Sequence, residues 1–221
     1  SSTASNTDGS ITSSVRANPS AGFSIVSWTS SSSVSTVGHG LNAAPYFIVT
    51  KNRSVSNAWW SYHFSLGNTK AIRLDTNETS STMSSTWNNT SPTNSVFTVG
   101  GEFGNSNSMI AYCFAPVSGF SAMGVYESNN STDGPFIYTG FRPAFILFKA
   151  DLNLQPWIIH DSARNGYNKT DPYLMPSNTS AELSDNGIDI LSNGWKIRNN
   201  NAAWNGTAGT DVVWYAAAEN P

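Results

Sequence analysis

The chain has 221 residues, enough for one large β domain or two small ones, and only 11% of them are charged, against about 25% in ordinary soluble domains. A formal net charge of −3 excludes the basic footprint of a nucleic-acid-binding protein, and no apolar stretch reaches the roughly 18 residues that predict a membrane span. Aromatic residues make up 12%, which excludes a disordered chain and, with so many Ser, Thr, Asn and Gly residues, predicts a β protein with a neutral polar surface.

Residues 1–22 are rich in Ser, Thr and Asn and have no sustained apolar pattern. This predicts an N-terminal extended arm or linker. Short segments of β-branched and aromatic residues follow, separated by Gly and Pro turns, as is typical of strands. In the first half we expect strands at residues 23–28, 34–37, 45–51, 58–65, 71–74, 95–99 and 109–117, with a long polar loop at 75–94.

The second half has the same pattern, with strands expected at 136–138, 144–148, 157–161, 188–191, 194–198 and 211–218. No segment has the apolar period of a helix of ordinary length. No flexible linker separates the halves, which predicts a first β repeat at 23–123 and a second at 124–221, packed on the first. The expected fold is an all-β sandwich, of jelly-roll or lectin-like type.

Residues of the two halves match at offsets of 98 to 103 positions, which predicts an internal duplication with small loop insertions. Such a period is longer than the roughly 20–50 residues of a solenoid repeat. The matched positions are Gly40 with Gly140, Pro45 with Pro143, Trp59 with Trp157, and Tyr112 with Tyr215.

Residues for catalysis or metal binding are scarce. The 14 Asp and Glu residues include no alternation that would place two on one strand face, as glycoside hydrolysis would require. The three His residues have no metal-ligand spacing, and no serine lies in a nucleophile elbow. We therefore expect no catalytic residues, no metal and no cofactor, although Asp75, Asn77 and Asp133 leave a calcium loop open. The single cysteine, Cys113, is expected to be a small buried hydrophobe.

Aromatic residues in polar loops are the remaining candidates for a ligand site. Sugar rings stack on exposed Trp and Tyr, whose faces are apolar and whose edges form hydrogen bonds. Trp87, Trp204, Tyr167 and Tyr173 lie in such segments, so they are the predicted glycan-binding residues. The alternative interpretation is that each ring covers one end of the sandwich.

The sequence resembles a family of bacteriophage tail-fibre and virion-surface domains of the marine-phage type, from about Gly22 to the C-terminus. Where the family tends to have Phe, this chain has Trp195. The motifs that carry the resemblance are Gly22-Phe-Ser-Ile-Val26, Gly38-His-Gly-Leu41, Lys51-Asn-Arg53, Trp87-Asn-Asn-Thr90, Tyr112-Cys-Phe-Ala115, Asp133-Gly-Pro-Phe136, Thr139-Gly-Phe-Arg-Pro143, Asp161-Ser-Ala-Arg-Asn165, Asn193-Gly-Trp-Lys196 and Ala218-Glu-Asn-Pro221.

The resemblance implies an extracellular location on the virion surface and a receptor-facing or structural role without enzymatic activity. The expected partners are a host cell-surface glycan or other virion proteins, with no nucleic acid and no membrane insertion. A homo-oligomer is expected, with a trimer as a form common among fibres. Two alternatives stay open: a secreted lectin-like carbohydrate-binding module and a polysaccharide depolymerase.

Overall fold

The computed structural model describes residues 2–219, without the side chains of residues 185 and 186, and confirms an all-β protein. Every pair of neighbouring strands in the described part is antiparallel. The chain forms two compact units. Unit 1 contains residues 2–74 and Ser80–Val117, and unit 2 contains Asp75–Thr79 and residues 118–219.

Unit 1 has one large sheet and one two-stranded sheet. The large sheet has the strand order β1-β2-β3-β10-β5-β6-β7-β8, and the small sheet pairs β4 with β9. One turn of α-helix, α1, spans Ser84–Trp87, and 3₁₀ turns span Pro19–Ala21, Phe64–Leu66 and Gly101–Phe103. The strands are β1 Ala4–Asn6, β2 Ser13–Asn18, β3 Phe23–Thr29, β4 Ser35–Gly38, β5 Phe47–Asn52, β6 Trp60–His63, β7 Lys70–Arg73, β8 Ser81–Thr82, β9 Val96–Val99 and β10 Ser108–Phe114.

The core of unit 1 follows from the alternation of side chains along its strands. In β3, Val26 and Trp28 point into the core, while the residues between them lie on the opposite face. Cys113 in β10 is fully buried, and burial raises the pKa of its thiol to about 12. The prediction that this cysteine is a buried hydrophobe is therefore confirmed.

Unit 2 has two four-stranded sheets. Their strand orders are β11-β18-β13-β14 and β12-β17-β16-β15. The strands are β11 Ser121–Glu127, β12 Phe136–Tyr138, β13 Pro143–Ala150, β14 Ile158–Asp161, β15 Thr170–Tyr173, β16 Leu183–Leu191, β17 Gly194–Ile197 and β18 Asp211–Ala218. Both sheets supply buried residues to one hydrophobic cluster, which is the arrangement of a sandwich.

A close contact between two strands of unit 2 explains why residue 124 is a glycine. Gly124 in β11 is paired with Trp214 in β18, and the Trp214 ring lies directly over it. A Cβ atom at position 124 would lie 2.7 Å from Cζ2 of Trp214. The absence of a side chain at this position is therefore what allows the indole to pack on the strand.

We expect Gly124→Ala to lower the free energy of unfolding by about 1–3 kcal/mol, because the added methyl group forces the Trp214 ring out of its packed position. Urea denaturation followed by tryptophan fluorescence measures the change. Val125→Ala is the matched control, since Val125 is the next residue and its side chain is 45% exposed. Equal stabilities for the two variants would contradict the packing explanation.

The structure corrects the predicted domain boundaries. Residues 2–22 do not form a free arm, because β1 and β2 add two strands to the large sheet of unit 1. Strand pairing uses backbone hydrogen bonds, so a Ser-rich segment pairs as well as an apolar one if its inward residues are satisfied. Ser13 illustrates this, since its buried hydroxyl donates to the carbonyl of Gly38 at 2.8 Å.

The boundary between the halves also differs from the prediction. Unit 1 ends at Val117, not at residue 123, because Ser121 is already the first residue of β11 in unit 2. The segment Asp75–Thr79 belongs to unit 2, although it lies in the first half of the sequence. The Thr79 hydroxyl donates to Asp151 at 2.7 Å, a contact between residues 72 positions apart. The last two residues of the motif Ala218-Glu-Asn-Pro221 lie outside the described residues.

Candidate functional site

A groove of about 440 Å³ opens in unit 1 on the sheet formed by β1, β2 and β3. This volume lies within the range of about 300–1,000 Å³ that is typical of ligand sites. Of the eleven described residues that line the groove, eight carry a hydroxyl group and Arg53 is the only charged one. The hydroxyl of one of the eight, Ser13, is buried and donates to Gly38. Trp28 also borders it, but its ring is 5% exposed and packs on Phe97 in the core.

A row of three serines crosses the groove. In the antiparallel ladders, Ser14 of β2 lies directly opposite both Ser5 of β1 and Ser27 of β3. Directly opposed residues point to the same face of a sheet, so the three hydroxyls stand side by side. Ser5 and Ser14 are exposed, and Ser27 is half-buried.

Strand register extends this polar row toward β10. Thr29 lies two residues after Ser27, on the same face, and is paired with Ser108. Both are exposed. The inward residues of these strands, such as Val15 and Val26, fill the core of unit 1. One face of the strands therefore holds the fold together, and the other face offers hydroxyls to solvent.

Arg53 is positioned at the end of the groove by the turn that follows β5. Its backbone N–H donates to the carbonyl of Ser108 at 2.8 Å. The preceding residue, Asn52, is buried, and its side-chain oxygen accepts hydrogen bonds from the backbone N–H groups of Ser54 and Val55 at 2.9 and 3.2 Å. These bonds fix the turn, while the Arg53 side chain itself is exposed.

The chemistry of this groove is that of hydrogen bonding to a polar ligand. Each hydroxyl both donates and accepts, as do the hydroxyls of a sugar, and the guanidinium of Arg53 adds five N–H donors. No carboxylate is among the eleven residues that line the groove. A pair of acids for glycoside hydrolysis is therefore missing from this lining.

Two of the four aromatic residues predicted to bind glycans are buried tryptophans. Trp87 is 2% exposed and contacts the rings of Tyr62 and Phe103 in unit 1. Trp204 is also 2% exposed, because Asn201 holds a helical turn that directs the indole into unit 2. Neither ring has a free face for a sugar, because each lies in the hydrophobic core of its unit.

The two tyrosines differ from each other. Tyr173 is 4% exposed and contacts the Trp204 ring edge-on at 4.8 Å, so it belongs to the same core as Trp204. Tyr167 is 83% exposed and is the one predicted residue of the four that can meet a ligand. The structure also leaves two aromatic residues of the edge strand β12 accessible, Phe136 at 45% and Tyr138 at 67% exposure. The strand pattern had suggested no role for this pair.

The groove residues had no signal in the sequence. A serine in a strand that is part of a Ser-rich chain looks the same whether it faces a groove or bulk solvent. The row of Ser5, Ser14 and Ser27 depends on the register of three strands, and Arg53 joins it through β10. Only the motif Lys51-Asn-Arg53 had drawn attention to this turn.

Two of the buried histidines, His39 and His160, form hydrogen bonds within the fold. In His39, Nδ1 accepts from the backbone N–H of Leu41 and Nε2 donates to the carbonyl of Thr93, each at 3.2 Å. These partners fix the neutral ring, and burial lowers its pKa. In His160, Nε2 accepts from the indole N–H of Trp204 at 3.3 Å, and burial lowers the pKa to about 4. Neither ring borders the groove.

Lys149 is a fully buried cation in unit 2. Burial lowers its pKa to about 8, against the opposing effect of Asp151 and Glu78. The ammonium group donates to the carbonyl of Gln155 and, at 3.4 Å, to the carbonyl of Asn77. Lys149 therefore anchors the segment Asp75–Thr79 within this unit.

The side chains considered for a calcium loop have other contacts. The Asn77 side chain accepts a hydrogen bond from Ser177 at 2.8 Å, and Asp133 pairs with Lys196 at 2.9 Å. Among the described residues, no group of three or more His, Cys, Asp or Glu side chains is placed to hold a metal ion. No helix in the described part of the chain is both long and apolar enough to cross a membrane.

Comparison with known proteins identifies one family. The model of a family described as "Domain of unknown function (DUF7483)" matches residues 1–221. No curated protein matches the chain, and no solved structure matches it.

Proposed function

We propose that this chain, which belongs to the DUF7483 family, is a non-enzymatic module of a bacteriophage virion surface or tail fibre that adheres to a host-surface glycan. The observation that carries the proposal is the hydroxyl-lined groove of unit 1. A sugar presents several hydroxyls within a small volume, and a row of serines can donate to some and accept from others.

The proposed mechanism is multivalent. A groove with one guanidinium and mostly neutral hydroxyls gives individually weak contacts, since each neutral hydrogen bond contributes only about 0.5–1.5 kcal/mol net. Several copies on one particle raise the avidity by about 10²–10⁴ without any new contact. A homo-oligomer, such as a trimer, is part of the same proposal, and a role in virion assembly is the alternative to adhesion for a module of the virion surface.

The virion location rests on the resemblance described for the sequence motifs. Of these motifs, Lys51-Asn-Arg53 contributes a residue to the groove. A secreted lectin-like module would use the same groove without a particle. Peptide mass spectrometry of purified phage particles separates these two, since the chain is expected in the virion fraction.

A depolymerase would need a reactive group beside the bound sugar. The part of the groove lining that the structure describes contains no acid, which supports adhesion in preference to hydrolysis. Incubation of the purified chain with a polysaccharide that it binds is expected to leave the viscosity unchanged. A fall in viscosity that substitution of one acid abolishes would favour the depolymerase.

We expect Ser14→Trp to lower the affinity for the glycan at least tenfold, because the indole fills the groove between Ser5 and Ser27. Biolayer interferometry on an array of immobilised bacterial surface polysaccharides measures the loss. The matched control is Ser184→Trp, which places the same ring on an exposed strand position of unit 2.

The two variants share their added bulk and hydrophobicity and differ in position. Circular dichroism is expected to show that both keep the wild-type fold, because both positions are exposed. Unchanged binding by Ser14→Trp, or an equal loss in the control, would exclude the groove as the site. No binding of the wild-type chain to any polysaccharide would overturn the proposed function itself.

The internal duplication belongs to the same proposal. The strand orders β3-β10-β5-β6 and β11-β18-β13-β14 correspond position by position in chain order within each unit. Lys51 donates to the carbonyl of Asn57, and Lys149 donates to the carbonyl of Gln155, six residues ahead in each case. A shared side-chain contact at matched positions supports descent of the two units from one ancestral unit.

A further inference from the structure

We infer that the groove of unit 1 selects an acidic glycan, in which a sugar carboxylate pairs with Arg53. The inference rests on the proposed function, because it names the class of glycan that the same groove would bind. It depends on how Arg53 differs from other arginines of the chain.

Three arginines of unit 2 already have carboxylate partners. Arg142 pairs with Glu219 at 2.6 Å, Arg164 with Asp161 at 2.6 Å, and Arg198 with Asp189 at 2.5 Å. Arg53 has no carboxylate within ion-pair distance among the residues that the structure describes. Its guanidinium is exposed at the groove, so its N–H donors are open to a ligand.

The surroundings of Arg53 are also matched to an anion. Among the described residues that line the groove, no acid competes for the guanidinium. Lys51 lies two residues before Arg53, in β5. Its ammonium group donates to the carbonyl of Asn57 and lies 5.4 Å from the centre of the Trp59 ring, so its positive charge stays near the sheet.

The shape of the donors favours a carboxylate. The planar guanidinium fork forms two parallel hydrogen bonds with the two oxygens of a carboxylate. A uronic acid carries one such group on a ring whose remaining substituents are hydroxyls, and the serine row supplies partners for those. One unpaired cation in a hydroxyl lining therefore matches one carboxylate on a polyhydroxylated ring.

The test is an array of bacterial surface polysaccharides that contain uronic acids, with each polymer immobilised beside its carboxyl-reduced form. Reduction converts the carboxylate to a neutral alcohol and leaves the sugar backbone in place. We expect the full chain to bind the acidic polymer at least tenfold more tightly than the reduced one. The preference should weaken between 50 and 300 mM NaCl, because exposed ion pairs are screened by salt.

We expect Arg53→Gln to lose at least tenfold in affinity for the acidic polymer and less than twofold for the reduced one. Arg53→Lys should retain part of the preference, because it keeps the charge without the fork. Arg142→Gln is the matched control and should bind like the wild type, since Arg142 lies in unit 2 and pairs with Glu219. Thermal melting is expected to show an intact fold for all three.

The outcomes separate the two proposals. Equal binding of acidic and reduced polymers, or a preference that Arg53→Gln leaves unchanged, would overturn the inference and keep glycan adhesion. On the broader array of bacterial surface polysaccharides used for Ser14→Trp, binding only to phosphate- or sulfate-bearing polymers would also overturn it. Binding to no polymer would overturn both proposals.

Discussion

Replacement of Trp204 by alanine is expected to lower the free energy of unfolding of unit 2 by about 3–5 kcal/mol, as large core deletions do. The indole is 2% exposed and contacts Phe148, His160 and Tyr173. Its N–H also donates to His160 at 3.3 Å, a bond that the variant lacks. Guanidinium denaturation followed by circular dichroism measures the loss for each unit if the two unfold separately.

Tyr167→Ala is the control for Trp204→Ala, since Tyr167 was predicted to bind glycans on the same grounds. Its side chain is 83% exposed, so its removal should change the stability by no more than about 0.5 kcal/mol. A destabilised Tyr167→Ala variant would contradict the exposure of the Tyr167 side chain. A Trp204→Ala variant as stable as the wild type would contradict the burial of the Trp204 indole in the core. A glycan-binding assay alone cannot separate a binding role of Trp204 from a structural one, because a misfolded variant loses glycan binding as well.

Acidification is expected to destabilise unit 2 through His160. Burial lowers the pKa of this ring from 6.5 to about 4 in the folded state, with the Pro172 carbonyl, Asp161 and Asp171 acting in the opposite direction. Between these values the unfolded chain binds the proton and the folded chain does not, so stability rises with pH in this window. The contribution is complete above pH 6.5 and falls by about 3 kcal/mol as the pH decreases to 4.

Two measurements check the titration of His160. A pH series of two-dimensional NMR spectra of the imidazole nitrogens should show a neutral His160 ring down to about pH 5. Denaturation at the same pH values should show that the free energy of unfolding rises with pH, and His160→Gln should reduce this slope. His39→Gln should leave the contribution of His160 to this slope unchanged, because His39 lies in unit 1. A midpoint near 6.5 for His160 in the folded protein would refute the prediction.

The strands were predictable because their determinants are local. The run 144–148 is apolar and bounded by Pro143 and Lys149, which permits a buried strand and excludes a helix of ordinary length. It lies within β13, whose residues Ile146 and Phe148 are fully buried. The β-branched and aromatic residues of 23–28 likewise identified the strand β3.

The exposure of loop aromatics was not predictable from the sequence. Trp87 and Trp204 have polar neighbours along the chain, which suggested solvent contact. In the structure, Trp87 ends α1 and Trp204 lies in the turn held by Asn201, and each ring is in the hydrophobic core of its unit. Burial of a single side chain depends on where its segment lies relative to distant strands, and the local composition does not contain that information.

The amino-acid sequence by itself determined the fold class, the polar low-charge surface and the burial of Cys113, because strand period and composition act residue by residue. The tertiary structure alone decided that the Ser-rich N-terminus adds two strands to unit 1 and that Asp75–Thr79 joins unit 2. It also decided the groove, in which Ser5, Ser14 and Ser27 meet Arg53. The physical reason is that cross-strand pairing joins residues far apart in the chain, and its register is set by backbone hydrogen bonds over the whole sheet.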